Sequence, residues 1–132
     1  MGSVGYSKRG RLDKLGVKPG ARIGIVGLDD PAFLTELRER TGRVTNGRLP
    51  RNADMVFIYM DRRAHLAVLK KARPVIAPDG AVWVLWPKGR KSFREGDVRA
   101  FCLASGLVDI KVVAFSEALS GLKLVIPLRD RH

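Results

Sequence analysis

The sequence predicts an α/β fold: an open, mostly parallel sheet flanked by helices and ending in an antiparallel hairpin. Three observations carry this. Short apolar stretches of strand length alternate with single stretches of helical spacing. The strand-like stretches are apolar on both parities, as strands covered on both faces are. The last two of them are joined by only a few residues, too few for a crossover between parallel neighbours.

Met1 to Gly20 mixes glycines with mostly basic charges and closes on Lys18-Pro19-Gly20, so residues 1–20 read as a basic arm and 21–132 as one α/β domain. Ala21 to Leu28 is the first strand. Asp30 is a good N-cap and Pro31 a good first helical residue. Phe33, Leu34 and Leu37 then fall at helical spacing with Glu36 and Glu39 on the polar side, and Thr41-Gly42 closes the helix. Arg43 to Asn52 has room for one short strand and a loop.

Asp54 to Met60 reads as the next buried strand and Arg63 to Arg73 as a helix with Leu66, Leu69 and Ala72 on one face. Pro78-Asp79-Gly80 reads as a turn. Ala81 to Trp86 is a strand stopped by Pro87. Phe93 to Ser105 is a helix whose apolar stripe holds Val98, Phe101 and Cys102, and Gly106 stops it. Val108 to Phe115 and Leu122 to Pro127 form the closing hairpin. Single-helix connections make the other strands parallel, with right-handed crossovers.

Composition narrows the function classes. The chain has 132 residues, 25 Lys+Arg and 13 Asp+Glu, a formal net charge of +12 that suits an anionic partner. The longest stretch without a charge is nine residues, Ala100 to Val108, far short of a membrane span. One cysteine, Cys102, excludes an internal disulfide, and no signal peptide is visible, so a cytoplasmic setting is expected.

The order of elements resembles the later half of a Rossmann-like methyltransferase domain. Ala53-Asp54-Met55-Val56-Phe57 is similar to that family's fourth strand, and Ala72-Arg73-Pro74 through Pro78 to Val84 to its next helix, glycine turn and fifth strand. Over nearly the whole chain, Gly5-Tyr6-Ser7, Leu15 to Gly20, Trp86-Pro87-Lys88, Gly106 to Asp109 and Leu119 to Lys123 resemble a family of small bacterial proteins grouped under a domain of unknown function. That resemblance implies a truncated methyltransferase-type fold and a bacterial, cytoplasmic setting. Departures from the methyltransferase pattern imply no adenosyl cofactor. The first turn is Gly27-Leu28-Asp29-Asp30-Pro31 in place of a Gly-x-Gly-x-x-Gly run, and no acidic residue stands at the end of a second strand.

In open parallel sheets ligands bind beyond the carboxyl ends of the strands. That rule nominates Arg62, Arg63, Lys88, Arg90 and Lys91 as a basic rim for a phosphate or carboxylate. Trp86 stands beside it as a ring that could stack on a planar group, and Ser116 completes the candidate set. The alternative reading is solvated loop charge and core tryptophan. Asp29 and Asp30 read as loop and cap residues whose charge spoils that helix start for phosphate. His65 and His132 have no partners at metal spacing, and no catalytic set is recognisable. The expectation is therefore a non-catalytic module binding an anionic partner, whether nucleotide, nucleic acid or acidic protein, with no cofactor, metal or membrane. The alternative is a small transferase derived from an S-adenosylmethionine-dependent methyltransferase.

Overall fold

The computed structural model of the protein describes residues 10–91 and 93–131. A helical segment, residues 10–15 (α1), leads into β1 (Ile23–Val26), α2 (Pro31–Arg40), β2 (Val44–Asn46) and β3 (Ala53–Tyr59). A 3-10 turn, Arg63–His65, runs into α3 (Leu66–Ala72), followed by β4 (Ile76–Pro87), α4 (Glu95–Ala104), β5 (Val108–Ala114) and β6 (Leu119–Val125). The described strands form one sheet in the order β2-β1-β3-β4-β6-β5. The pairs β1–β2, β1–β3 and β3–β4 are parallel, while β6 lies antiparallel to both β4 and β5. The mostly parallel sheet with its closing hairpin is the architecture expected from the sequence.

Alternation along the strands sorts the core into two layers. Val56, Ile58, Val82, Val84, Leu122 and Leu124 face one side, where Leu69 and Ala72 of α3 and Val98 and Cys102 of α4 cover them. Met55, Phe57, Trp83 and Leu85 face the other, with Leu12 and Leu15 of α1 and Phe33 and Leu37 of α2. Trp83 and Trp86 thus lie on opposite faces, as their spacing requires. Burial is the main cause that pushes the Cys102 thiol up to about 12, so it is an inert core residue.

Several details differ from expectation. Part of the segment read as an arm packs on the sheet, where Leu12, Leu15 and Val17 are buried. The indole N–H of Trp83 donates to the Leu15 carbonyl at 3.0 Å. Glu36, expected on the polar face of α2, is buried, because the Arg11 guanidinium reaches it while lying over the Phe33 and Phe115 rings. Asp30 does cap α2, accepting the Phe33 N–H at 3.0 Å. The helix expected from Arg63 to Arg73 opens as the 3-10 turn.

Pro78-Asp79-Gly80, expected as a free turn, lies within β4. Ala53 pairs with Ile76 but Met55 with Ala81, so four residues of β4 oppose Asp54 alone. Such a bulge accommodates a proline inside a strand, because the extra residues leave the ladder. It also demands the glycine: a Cβ on Gly80 would stand 2.9 Å from the Ala53 carbonyl oxygen.

Candidate functional site

The parallel strands β1, β2, β3 and β4 end on one edge of the sheet, and their loops build the site. In strand order, β2 and β1 end at Asn46 and Val26, β3 leads into Met60-Asp61-Arg62, and β4 leads into Lys88-Gly89-Arg90-Lys91. The backbone fixes these loops. The Met60 N–H donates to Leu85 O at 2.8 Å, and the Lys88 N–H donates to Ala118 O at 2.9 Å, tying the β4 loop to the turn of the hairpin.

Asp61 is the hub. Its side chain is only 10% exposed. Oδ1 accepts the Arg62 Nε–H at 3.0 Å, Oδ2 accepts the Tyr59 hydroxyl at 3.3 Å, and the Arg90 guanidinium stands 3.7 Å from Oδ2. The Asp61 backbone N–H donates to His65 Nδ1 at 3.1 Å. The Arg62 hydrogen bond is the main cause holding the Asp61 carboxyl below its ordinary value, and burial, followed by the Asp61 charge, pushes the Tyr59 phenol up.

Two clefts flank this hub. Beside β4, Lys88, Arg90, Lys91 and Arg94, together with the single carboxylate Glu95, line a cavity of about 360 Å³ that Trp86, Phe93 and Ser120 also border. Beyond β1 and β2 lies a smaller one of about 120 Å³, lined by Ile25, Leu28, Asp29, Asp30, Pro31, Leu34 and Asn46. Gly27 turns the chain out of β1 at φ +78°.

The structure thus brings Arg62 and Arg90 together through a carboxylate that the sequence pattern does not single out, and gathers Lys88 and Lys91 around Trp86. Trp86 is 3% exposed, so it is a core residue that also lines the cleft. The Arg63 side chain lies outside the described residues. Ser116 holds the hairpin turn, where its hydroxyl accepts the Ala118 and Leu119 amides at 3.2 and 3.0 Å, and Ser120 lines the cleft instead. Sequence reasoning places Asp61 in a nominated rim loop without giving it a role, reads His65 as a lone helical histidine, and misses Tyr59. The available signal is Asp61 directly after a buried strand with His65 four residues on. Among the described residues no group of three or more His, Cys, Asp or Glu could hold a metal ion.

No family model matches the chain, and no curated protein does. Solved structures do. An S-adenosylmethionine-dependent methyltransferase from Aquifex aeolicus aligns over 89% of this chain and 88% of its own, with a TM-score of 0.70 at 15% identity. A TehB-like S-adenosylmethionine-dependent methyltransferase from Corynebacterium glutamicum aligns over 94% of this chain and 97% of its own, at a TM-score of 0.55 and 13% identity. Magnesium protoporphyrin IX methyltransferase from Synechocystis, solved with S-adenosylmethionine bound, aligns over 94% and 78%, at 0.59 and 12%.

The fold is the methyltransferase fold. That overturns the expectation of a non-catalytic anion-binding module, and with it the leaning against an enzyme: methyltransferases are what this chain resembles in three dimensions. The transferase alternative is the better supported. Among the described residues, no helix is long and apolar enough to cross a membrane.

Proposed function

We propose that this chain is a small transferase of methyltransferase descent, with an adenosyl donor beyond β1 and β2 and an anionic acceptor beside Trp86. One observation carries the reading: strand order sets the two clefts on either side of Asp61, on a single sheet edge.

The donor cleft suits S-adenosylmethionine in kind. Asp29 and Asp30 exclude a phosphate, but an adenosyl sulfonium carries no phosphate and is itself cationic, so an acidic turn attracts it. Asp29 and Asn46 would hold its polar parts and Ile25, Leu28 and Leu34 its apolar ring. The enclosed 120 Å³ is below the roughly 300 Å³ of sites that bury a whole ligand, so the group would be held half open and weakly. When bound, it supplies an electrophilic methyl group.

The rest of the chemistry belongs to this chain. Lys88, Arg90 and Lys91 orient an anionic acceptor against Trp86. Asp61, kept ionised by Arg62, accepts a hydrogen bond from the acceptor's N–H or O–H and aims its lone pair. A carboxylate held this low positions far better than it deprotonates. The buried single cysteine suits a reducing, cytoplasmic setting.

Calorimetric titration of the full chain with S-adenosylmethionine and S-adenosylhomocysteine tests the reading. Weak saturable binding is expected, lost in Asn46→Leu. No heat from either compound at millimolar concentration, with no rise in unfolding temperature, overturns it.

A further inference from the structure

A further cavity is at the other edge of the sheet, where β1, β3 and the parallel part of β4 begin. It measures about 440 Å³ and is lined by the loop Gly16 to Ala21, by Ile23, Asp54, Met55, Asp79 and Ala81, and by Lys123 and Val125 of β6. This volume falls within the range of small-molecule sites. The site proposed above for group transfer uses none of these residues.

Lys123 sits where an apolar side chain would be expected. It pairs in register with Trp83 and Lys111, on the face of the sheet whose other members are Met55, Leu85 and Val125. Its ammonium lies 5.9 Å from the centre of the Trp83 ring, and among the described residues no carboxylate lies within ion-pair distance of it. The neighbouring Lys111 directs its own ammonium to the Lys14 carbonyl at 3.2 Å. Gly16 borders this group, since a Cβ there would stand 3.4 Å from Lys123 Nζ.

A half-buried cation without an anion carries a desolvation penalty that a ligand's negative charge would offset. The opposite bank limits what that ligand can be. Asp54 and the bulge residue Asp79 line the same cavity, and their charges repel a chain of phosphates. Val17, Ile23, Met55, Ala81 and Val125 offer an apolar wall. We propose that this cavity binds a small organic monocarboxylate, its carboxylate on Lys123 and its apolar body against Met55.

Nuclear magnetic resonance of the full chain carrying methyl-labelled methionine tests this with hexanoate, with hexylamine and inorganic phosphate as controls. Met55 lines the cavity, whereas Met60 lies in the opposite core layer and serves as an internal reference. Hexanoate is expected to shift the Met55 methyl saturably and leave Met60 in place, while hexylamine does neither. Lys123→Met should weaken hexanoate by about tenfold or more, and Lys123→Arg by less. If Lys123→Met does not fold, lysine labelling of the wild-type chain decides, because the Lys123 Cε resonance must move with hexanoate. A static Met55 methyl, equal shifts from hexylamine, or affinity unchanged in Lys123→Met overturns the proposal. So does phosphate binding as well as hexanoate does.

Discussion

The two edges of the sheet treat charge in opposite ways. At the carboxyl edge, charges arrive on loops and are collected by Asp61, which takes hydrogen bonds from Arg62 and Tyr59 and draws in Arg90. At the amino edge, one lysine projects from the middle of a strand into an otherwise apolar layer and meets an aromatic ring and another lysine. The first arrangement already contains the anion that a cluster of arginines needs. The rim is therefore preset in geometry, and Arg90 joins Lys88 and Lys91 in lining the cleft beside Trp86. The second arrangement lacks its anion among the described residues. Paired charge fixes a shape; unpaired charge marks a place for a ligand.

The strongest way to break the comparison is to remove what closes the amino edge. Trp83 is fully buried, stacks its bulk against α1 and β6, and ties Leu15 through its indole N–H. Trp83→Ala should cost about 3–5 kcal/mol in denaturant unfolding. Trp83→Phe should cost much less, the main loss being a buried carbonyl without its donor, about 1–3 kcal/mol. Equal, small costs for both would show that the loop over Lys123 is held by something other than the core.

Asp61→Asn is next in size and attacks the carboxyl edge. The amide cannot satisfy Arg62 and Arg90 with charge, so the rim regains its self-repulsion. Transfer activity should fall by about a hundredfold or more if Asp61 aims the acceptor, with little change in donor affinity. A fall in donor binding with unchanged turnover would place Asp61 in the donor cleft instead.

The sheet was legible because periodicity reports burial on two faces, and the cap Asp30-Pro31 because capping is local chemistry. The bulge at Pro78-Asp79-Gly80 was not, since a turn and a bulge use the same residues and only pairing with β3 separates them. Glu36 read as polar surface because its partner, Arg11, lies 25 positions away. The rim's basic members were legible from their position after strands, whereas its organising carboxylate was not. One aspartate among arginines reads as loop charge until the backbone brings His65 and Tyr59 to it. The amino-edge cavity is invisible in sequence for the same reason: nothing in the local pattern around Lys123 shows that the loop Gly16 to Ala21 lies over it.

Lys123 gives a sharper test of the contrast through pH. Burial, and then the Lys111 charge, lowers its ammonium below the ordinary lysine value. The unfolded chain therefore holds the extra proton between the lowered value and about 10.4, and in that window stability rises with pH. Lys123→Met removes this slope. The stability gained by Lys123→Met should be largest at neutral pH and shrink as pH approaches the ordinary lysine value, as read by urea unfolding at several pH values. A pH-independent difference would mean the ammonium is solvated, as the paired guanidiniums of the other edge are.

The smallest effect is expected at Arg90, and it separates a shape-holding pair from a ligand-holding charge. Its guanidinium is half exposed and stands 3.7 Å from Asp61, which keeps the closer Arg62 as partner. Exposed pairs of this kind contribute about 0–1 kcal/mol, so Arg90→Ala should change stability by about 0.5 kcal/mol or less. Anion binding should respond more. Arg90 lines the cleft beside Trp86 together with Lys88 and Lys91, so the double change Arg90→Ala and Lys91→Ala should weaken an anionic acceptor and flatten the salt dependence of its binding, with the fold intact. Hexanoate at the amino edge should be unaffected. Were Arg90→Ala as destabilising as Asp61→Asn, the pair would be structural, and the arginine would belong with the hub rather than with the cleft.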